Sequence, residues 1–146
     1  MSSQVARFMN ILKKKELDDY FTEKEDGTFD VTVHTGRMIE AFVILASIKG
    51  DIVTFITETF LCADSKNYTF IKNLLDSING ICKKGSFFIN MENKISFKIR
   101  IKLDEMEKLE NPCDAVFYGC ETFEKYQESI LKALTGQHIF CWKMVH

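Results

Sequence analysis

The sequence predicts an α+β fold: an antiparallel sheet, a meander plus a C-terminal hairpin, with helices packed on it in the order α-β-β-β-α-β-β-α. Three observations predict it. Apolar residues recur at steps of three and four in three segments, and alternate with polar residues in the stretches between them. Turn residues at Asp26-Gly27, Thr35-Gly36 and Lys49–Asp51 separate the alternating stretches. A chain of 146 residues, 46% hydrophobic and with 13 phenylalanines, supplies enough apolar surface for one core. A single domain over residues 1–146 is expected.

The elements follow in chain order. "VARFMNILKKKEL" sets Val5, Phe8, Met9 and Leu12 at helical spacing, with Ser2 or Ser3 as a cap. Phe29, Val31 and Val33 then alternate with Thr28, Asp30, Thr32 and His34, which is how a strand with one buried face reads. "MIEAFVILASI", Met38 to Ile48, is apolar on both faces and should be a central strand. The β-branched and aromatic "IVTFITETF" follows it, so a meander of three or four antiparallel strands is expected. Between Asp64 and Ile81 the stripe Phe70, Ile71, Leu74, Leu75, Ile78 and Ile81 predicts a second helix packed on the sheet. Ser65 or Asp64 suits its start, and Lys83, Lys84 and Gly85 suit its end. "SFFINM" and "KISFKIRIKL" read as a hairpin turning at Glu92-Asn93, closed by the polar "DEMEKLEN" and Pro112. A third helix carries Val116, Phe117, Cys120, Phe123, Ile130, Leu131 and Leu134 and ends near Gly136.

Composition narrows the function classes. A net charge of −2 and a pI near 5.9 give no global positive field, so a nucleic-acid partner is not expected. The longest apolar run is interrupted by Glu40 and is far shorter than the roughly 20 residues of a spanning helix, so no membrane is expected either. The start of the chain lacks a secretory signal pattern, and five cysteines without a C-x-x-C pair suit reduced thiols, which together point to the cytoplasm. The chain contains no G-x-G-x-x-G, P-loop, H-E-x-x-H or G-x-S-x-G motif, so no enzyme is expected.

The segment "FIKNLLDSINGICKKGSFFINMENKISFKIRI" joins a helix with an asparagine-containing end to a "G-x-F-x-I" strand start and a lightly charged hairpin. With Asn79, Gly85, Phe87, Ile89 and Ile95 in place, it resembles the YbjN-like domains, bacterial proteins described as sensory transduction regulators. The resemblance runs from about Leu17 to Leu134. It implies a fold similar to that of type III secretion chaperones, and by analogy dimerisation or peptide binding. The hairpin turn "MENK", the helix start "CADSKNY" and the tail after Gly136 depart from that pattern.

Several residue groups invite a chemical reading. Cys113, Cys120, His138 and Cys141 contain zinc-ligand types without tight spacing, and Cys113 and Cys120 equally suit one helix face as small hydrophobes. His34 needs a nucleophile and a carboxylate to serve as a base; otherwise it is a solvated strand histidine. Asp18, Asp19, Glu23, Glu25 and Asp26 read as an acidic surface turn, as cation ligands or as an acid and base pair, and the surface turn is the expected reading. Lys94, Lys98, Arg100 and Lys102, with Lys83 and Lys84, form a positive stripe that either discourages edge pairing or receives an anionic partner segment.

The expected function is a non-enzymatic protein-interaction or regulatory module, homodimeric by analogy with the chaperones, that needs no cofactor or metal and binds a protein or peptide segment. Phe8, Leu12, Lys98, Arg100, Phe140 and Trp142 are the candidate partner-binding residues, because the aromatic load of the first helix and tail exceeds what one small sheet covers and the hairpin carries the positive stripe. The alternative is a small-ligand sensor with an apolar cavity lined by Phe42, Phe55, Leu74 and Phe97. An enzyme using His34 stands third.

Overall fold

The computed structural model describes residues 3–25, 27–34 and 41–135. Helix α1 (Ser3–Lys14) and a single 3-10 turn (Asp18–Tyr20) lead into four strands, β1 (Thr22–Glu25), β2 (Thr28–His34), β3 (Ala41–Lys49) and β4 (Ile52–Cys62). Helix α2 (Tyr68–Asn79), the hairpin β5 (Ser86–Ile89) and β6 (Lys94–Lys102), then helices α3 (Leu103–Lys108) and α4 (Cys113–Thr135) complete the described chain. The strands form a six-stranded sheet in the order β1-β2-β3-β4-β6-β5, with every pairing antiparallel. The α+β architecture expected from the alternating and helical periods is present.

The register explains which face is buried. Val31, Ile44, Thr57, Phe97 and Phe87 lie opposite one another across five strands, and Phe29, Ala46, Phe55 and Ile99 form the adjacent row. All nine are buried. The next row, Asp30, Leu45, Ile56, Lys98 and Ser86, points to the opposite face and is only half-buried. Side chains alternate across a strand, so a single register commits the whole sheet to one covered face. Helix α1 supplies Val5, Phe8, Ile11 and Leu12 to that face, α2 supplies Ile71, Leu75 and Ile78, and α4 supplies Val116, Cys120, Phe123 and Ile130. Phe8 stacks against Phe21 and Phe29, and Phe87 against Phe97, Phe123 and Tyr126.

Several expectations need correction. Strand β1 lies where an acidic turn was expected; its sequence is TEKE and all four residues are exposed, so main-chain pairing with β2 forms it without a buried face. Helix α3 occupies the segment expected to be a polar closing turn, because Leu103 and Met106, one turn apart, are both fully buried. Helix α2 begins at Tyr68, later than Asp64 or Ser65. Asp64 Oδ1 accepts from the N–H groups of Lys66 and Asn67, and Asn67 Oδ1 accepts from the Asp64 N–H, which ties the loop before the helix. The helix ends at Asn79 with Gly80 as its C-cap, so Lys83, Lys84 and Gly85 belong to the connection beyond it. Its apolar stripe is narrower than expected, since Phe70 and Ile81 are 52% and 68% exposed. The expected turn at Thr35-Gly36 and the first residues of "MIEAFVILASI" lie outside the described residues.

Candidate functional site

The hairpin β5–β6 has arms of unequal length. β5 pairs only from Ser86 opposite Lys98 to Ile89 opposite Ile95, while β6 continues through Ile99, Arg100, Ile101 and Lys102. Glycine decides where pairing stops. Gly85 has φ +71°, and a Cβ there would lie 2.5 Å from the Lys98 carbonyl oxygen and 2.6 Å from Phe97 Cζ. The chain can touch β6 at that point only without a side chain, and the left-handed backbone turns the residues before it away from the strand.

The direction of the main-chain groups follows from the bonds at both ends of β6. The Asn90 N–H donates to the Lys94 carbonyl on the β5 side, whereas Ala63 N–H donates to the Asn93 carbonyl and Leu103 N–H to the Asp51 carbonyl on the β4 side. Even-numbered residues of β6 therefore direct their N–H and C=O toward β5, and odd-numbered residues toward β4. Because β5 ends at Ser86, the N–H and C=O of Arg100 and the N–H of Lys102 have no strand beside them among the described residues. Across the sheet β4 pairs the same residues, with Arg100 opposite Thr54 and Ile101 opposite Val53, so this half of β6 is rigid on one side and open on the other.

That open side borders a groove of about 470 Å³. Ile99, Ile101, Leu109, Ala115 and Tyr118 form its apolar wall, Lys84 and Arg100 bring positive charge, and Glu105 and Asp114 bring negative charge. Tyr118 is held by its ring contact with Phe97, 6.1 Å between centroids. Asn111 starts helix α4 by accepting the Cys113 N–H at its side-chain oxygen and the Asp114 N–H at its carbonyl, and Pro112 between them fits the first helical turn. This start places Asp114, Ala115 and Tyr118 along the groove.

The outer edge of β5 is treated differently. Asn79 Nδ2 donates to the Phe87 carbonyl at 3.0 Å, and Asn79 Oδ1 accepts the Phe87 N–H at 2.7 Å. One side-chain amide thus replaces a neighbouring strand and blocks pairing at the centre of β5.

The positions singled out from sequence are dispersed. Phe8 and Leu12 are fully buried beneath the sheet, so in this fold a partner cannot reach them. Lys98 and Arg100 lie on the face of β6 turned away from the described helices; Lys98 Nζ sits over the Phe88 ring, 5.3 Å from its centroid, and Arg100 is exposed. Lys94 is engaged by Glu58 at 3.2 Å and Glu92 at 3.3 Å, whose hydrogen bonds hold its ammonium pKa up. Phe140, Trp142, His138 and Cys141 lie outside the described residues, as do the side chains of His34 and Phe42. Phe55 and Phe97, proposed cavity walls, are 1% and 0% exposed and packed in the core. Asp18, Asp19, Glu23 and Glu25 line the 3-10 turn and β1, and among the described residues no group of three His, Cys, Asp or Glu could hold a metal ion. Cys113 and Cys120 are buried on α4; burial raises both thiol pKa values, that of Cys120 to about 12.

Sequence reasoning found Arg100 and missed the groove. The signal was present as unequal arms, four residues before the turn and nine after it, together with the glycine that begins the shorter arm. No protein-family model matches this chain, and no curated protein matches it. Among the described residues, no helix is long and apolar enough to cross a membrane.

Proposed function

We propose that this chain is a non-enzymatic interaction module that binds a protein segment by strand addition. One observation carries the reading: the far half of β6 directs main-chain donors and an acceptor into an apolar-walled groove instead of toward any of the described strands. An added strand gains affinity from such groups and selectivity from the side-chain positions around them. The blocked centre of β5 strengthens the contrast, since the fold closes one edge of the hairpin with Asn79 and leaves the adjacent one open. The resemblance of the Phe70–Ile101 segment to YbjN-like domains, and through them to type III secretion chaperones, agrees with a regulatory or chaperone-like role for the module.

Replacing Arg100 with proline tests this reading. The Arg100 N–H faces the open side, so proline removes a donor from the edge without breaking the ladder to β4, and position 100 meets the requirement for proline in a sheet. Circular dichroism should show the same fold for both proteins. Partners retained by immobilised wild-type protein should be lost from the R100P protein, whereas an identical retained set on both would contradict strand addition at this edge.

A further inference from the structure

We propose that the open end of β6 receives, antiparallel to it, an extended segment with the pattern acidic-apolar-acidic. This rests on the strand-addition reading and adds direction and side-chain chemistry to it.

Direction follows from the line of β5. A segment continuing that line runs antiparallel to β6, as β5 does. Its amino end then falls beside α3 and the start of α4, where Glu105 and Asp114 line the groove, and its carboxyl end falls at Lys84 and Gly85. A basic residue flanking the pattern on its amino side would meet Glu105 and Asp114.

The pattern follows from the pleat. Residues opposite Arg100 and Lys102 would project onto the face turned away from the described helices, beside the Arg100 and Lys102 side chains and within diagonal reach of Lys98. Acidic side chains complement all three. The residue between them, opposite Ile101, would project to the covered face, where Leu109, Ala115 and Tyr118 form the wall. An apolar side chain suits that position. The chain length also agrees: Ile99 to Lys102 spans about 10 Å at the usual strand rise, and the turn at Gly85 limits added pairing to about three residues.

The test is a titration of ¹⁵N-labelled full chain with the peptide Gly-Glu-Val-Glu-Gly, blocked at both ends. Shift changes should concentrate at Arg100, Ile101, Lys102, Leu109 and Tyr118, and the Arg100 amide should exchange more slowly with solvent. A peptide N-methylated at the glutamate that faces Arg100 should not bind. Lysine in place of both glutamates should weaken binding about tenfold, as should R100E in the protein. Shift changes confined to β1 or to helix surfaces away from the groove, or none at millimolar peptide, would overturn the inference. Equal affinity for the lysine peptide at the same residues would overturn its charge pattern while leaving strand addition in place, and loss of capture by R100P separates that second case from failure of the functional reading.

Discussion

Asn79 performs a strand's work with one side chain. Its amide makes two hydrogen bonds to the Phe87 main chain at a half-buried position, so N79A should cost about 1 to 3 kcal/mol, read as a lower urea midpoint at unchanged slope. It should also expose a pairing edge, so the variant should associate more readily at high concentration. Gly119 is a second residue whose identity is dictated by contact: a Cβ there would lie 2.5 Å from Thr57 Oγ1, where α4 crosses β4. G119A should destabilise the protein by about 1 to 3 kcal/mol, because the buried Thr57 hydroxyl must rotate away or the helix must shift from a packed sheet. The cysteines should differ sharply in reactivity. Cys62 is exposed, whereas Cys120 is buried with its thiol pushed up to about 12, so a disulfide-exchange reagent at pH 8 should modify Cys62 rapidly and Cys120 only on unfolding. Modification of Cys120 at the rate of Cys62 would show that α4 does not pack this face against the sheet.

Among elements, α1 and α3 are joined at the surface by Arg7, which bonds both Asp104 and Glu107. These bonds hold both carboxyl pKa values below their ordinary 3.8 and 4.5, with hydrogen bonding to Arg7 the largest cause. A depressed carboxyl pKa stabilises the fold above its ordinary value and loses that contribution as pH falls through the folded-state value. The melting temperature of R7A should therefore fall below wild type at pH 7, and the difference should shrink below about pH 4. All three groups are exposed, so the shift should be small and should diminish with salt. Element types with a strong period were legible from sequence: α1, α2, α4, the β2–β4 meander and the unequal hairpin. β1 was not, because TEKE carries no apolar alternation and forms through main-chain pairing alone. α3 was hidden because only two of its six residues are buried, too few to establish a helical period. Phe8 and Leu12 illustrate the converse limit, since the periodicity that identified their helix is the same signal that places them in the core rather than on a partner surface.

At the scale of the whole molecule, the described helices cover one face of the sheet and Thr54, Ile56, Lys98 and Arg100 lie on the other, while the two sides of the β5–β6 hairpin are finished in opposite ways. Residue types announced the positive stripe on β6. The groove beside it required three-dimensional facts: where α4 begins, how far β5 extends, and which way the even-numbered amides point. The open edge is the feature on which both the proposed function and the acidic-apolar-acidic partner depend. It can be tested without any partner by residue-resolved amide hydrogen exchange across β6 in the isolated protein. Ser96 and Lys98 should be protected by β5, and Phe97, Ile99 and Ile101 by β4, whereas Arg100 should exchange far faster than the residues on either side of it. Protection of Arg100 equal to that of Ile99 and Ile101 would mean that the edge is already paired and would contradict strand addition there.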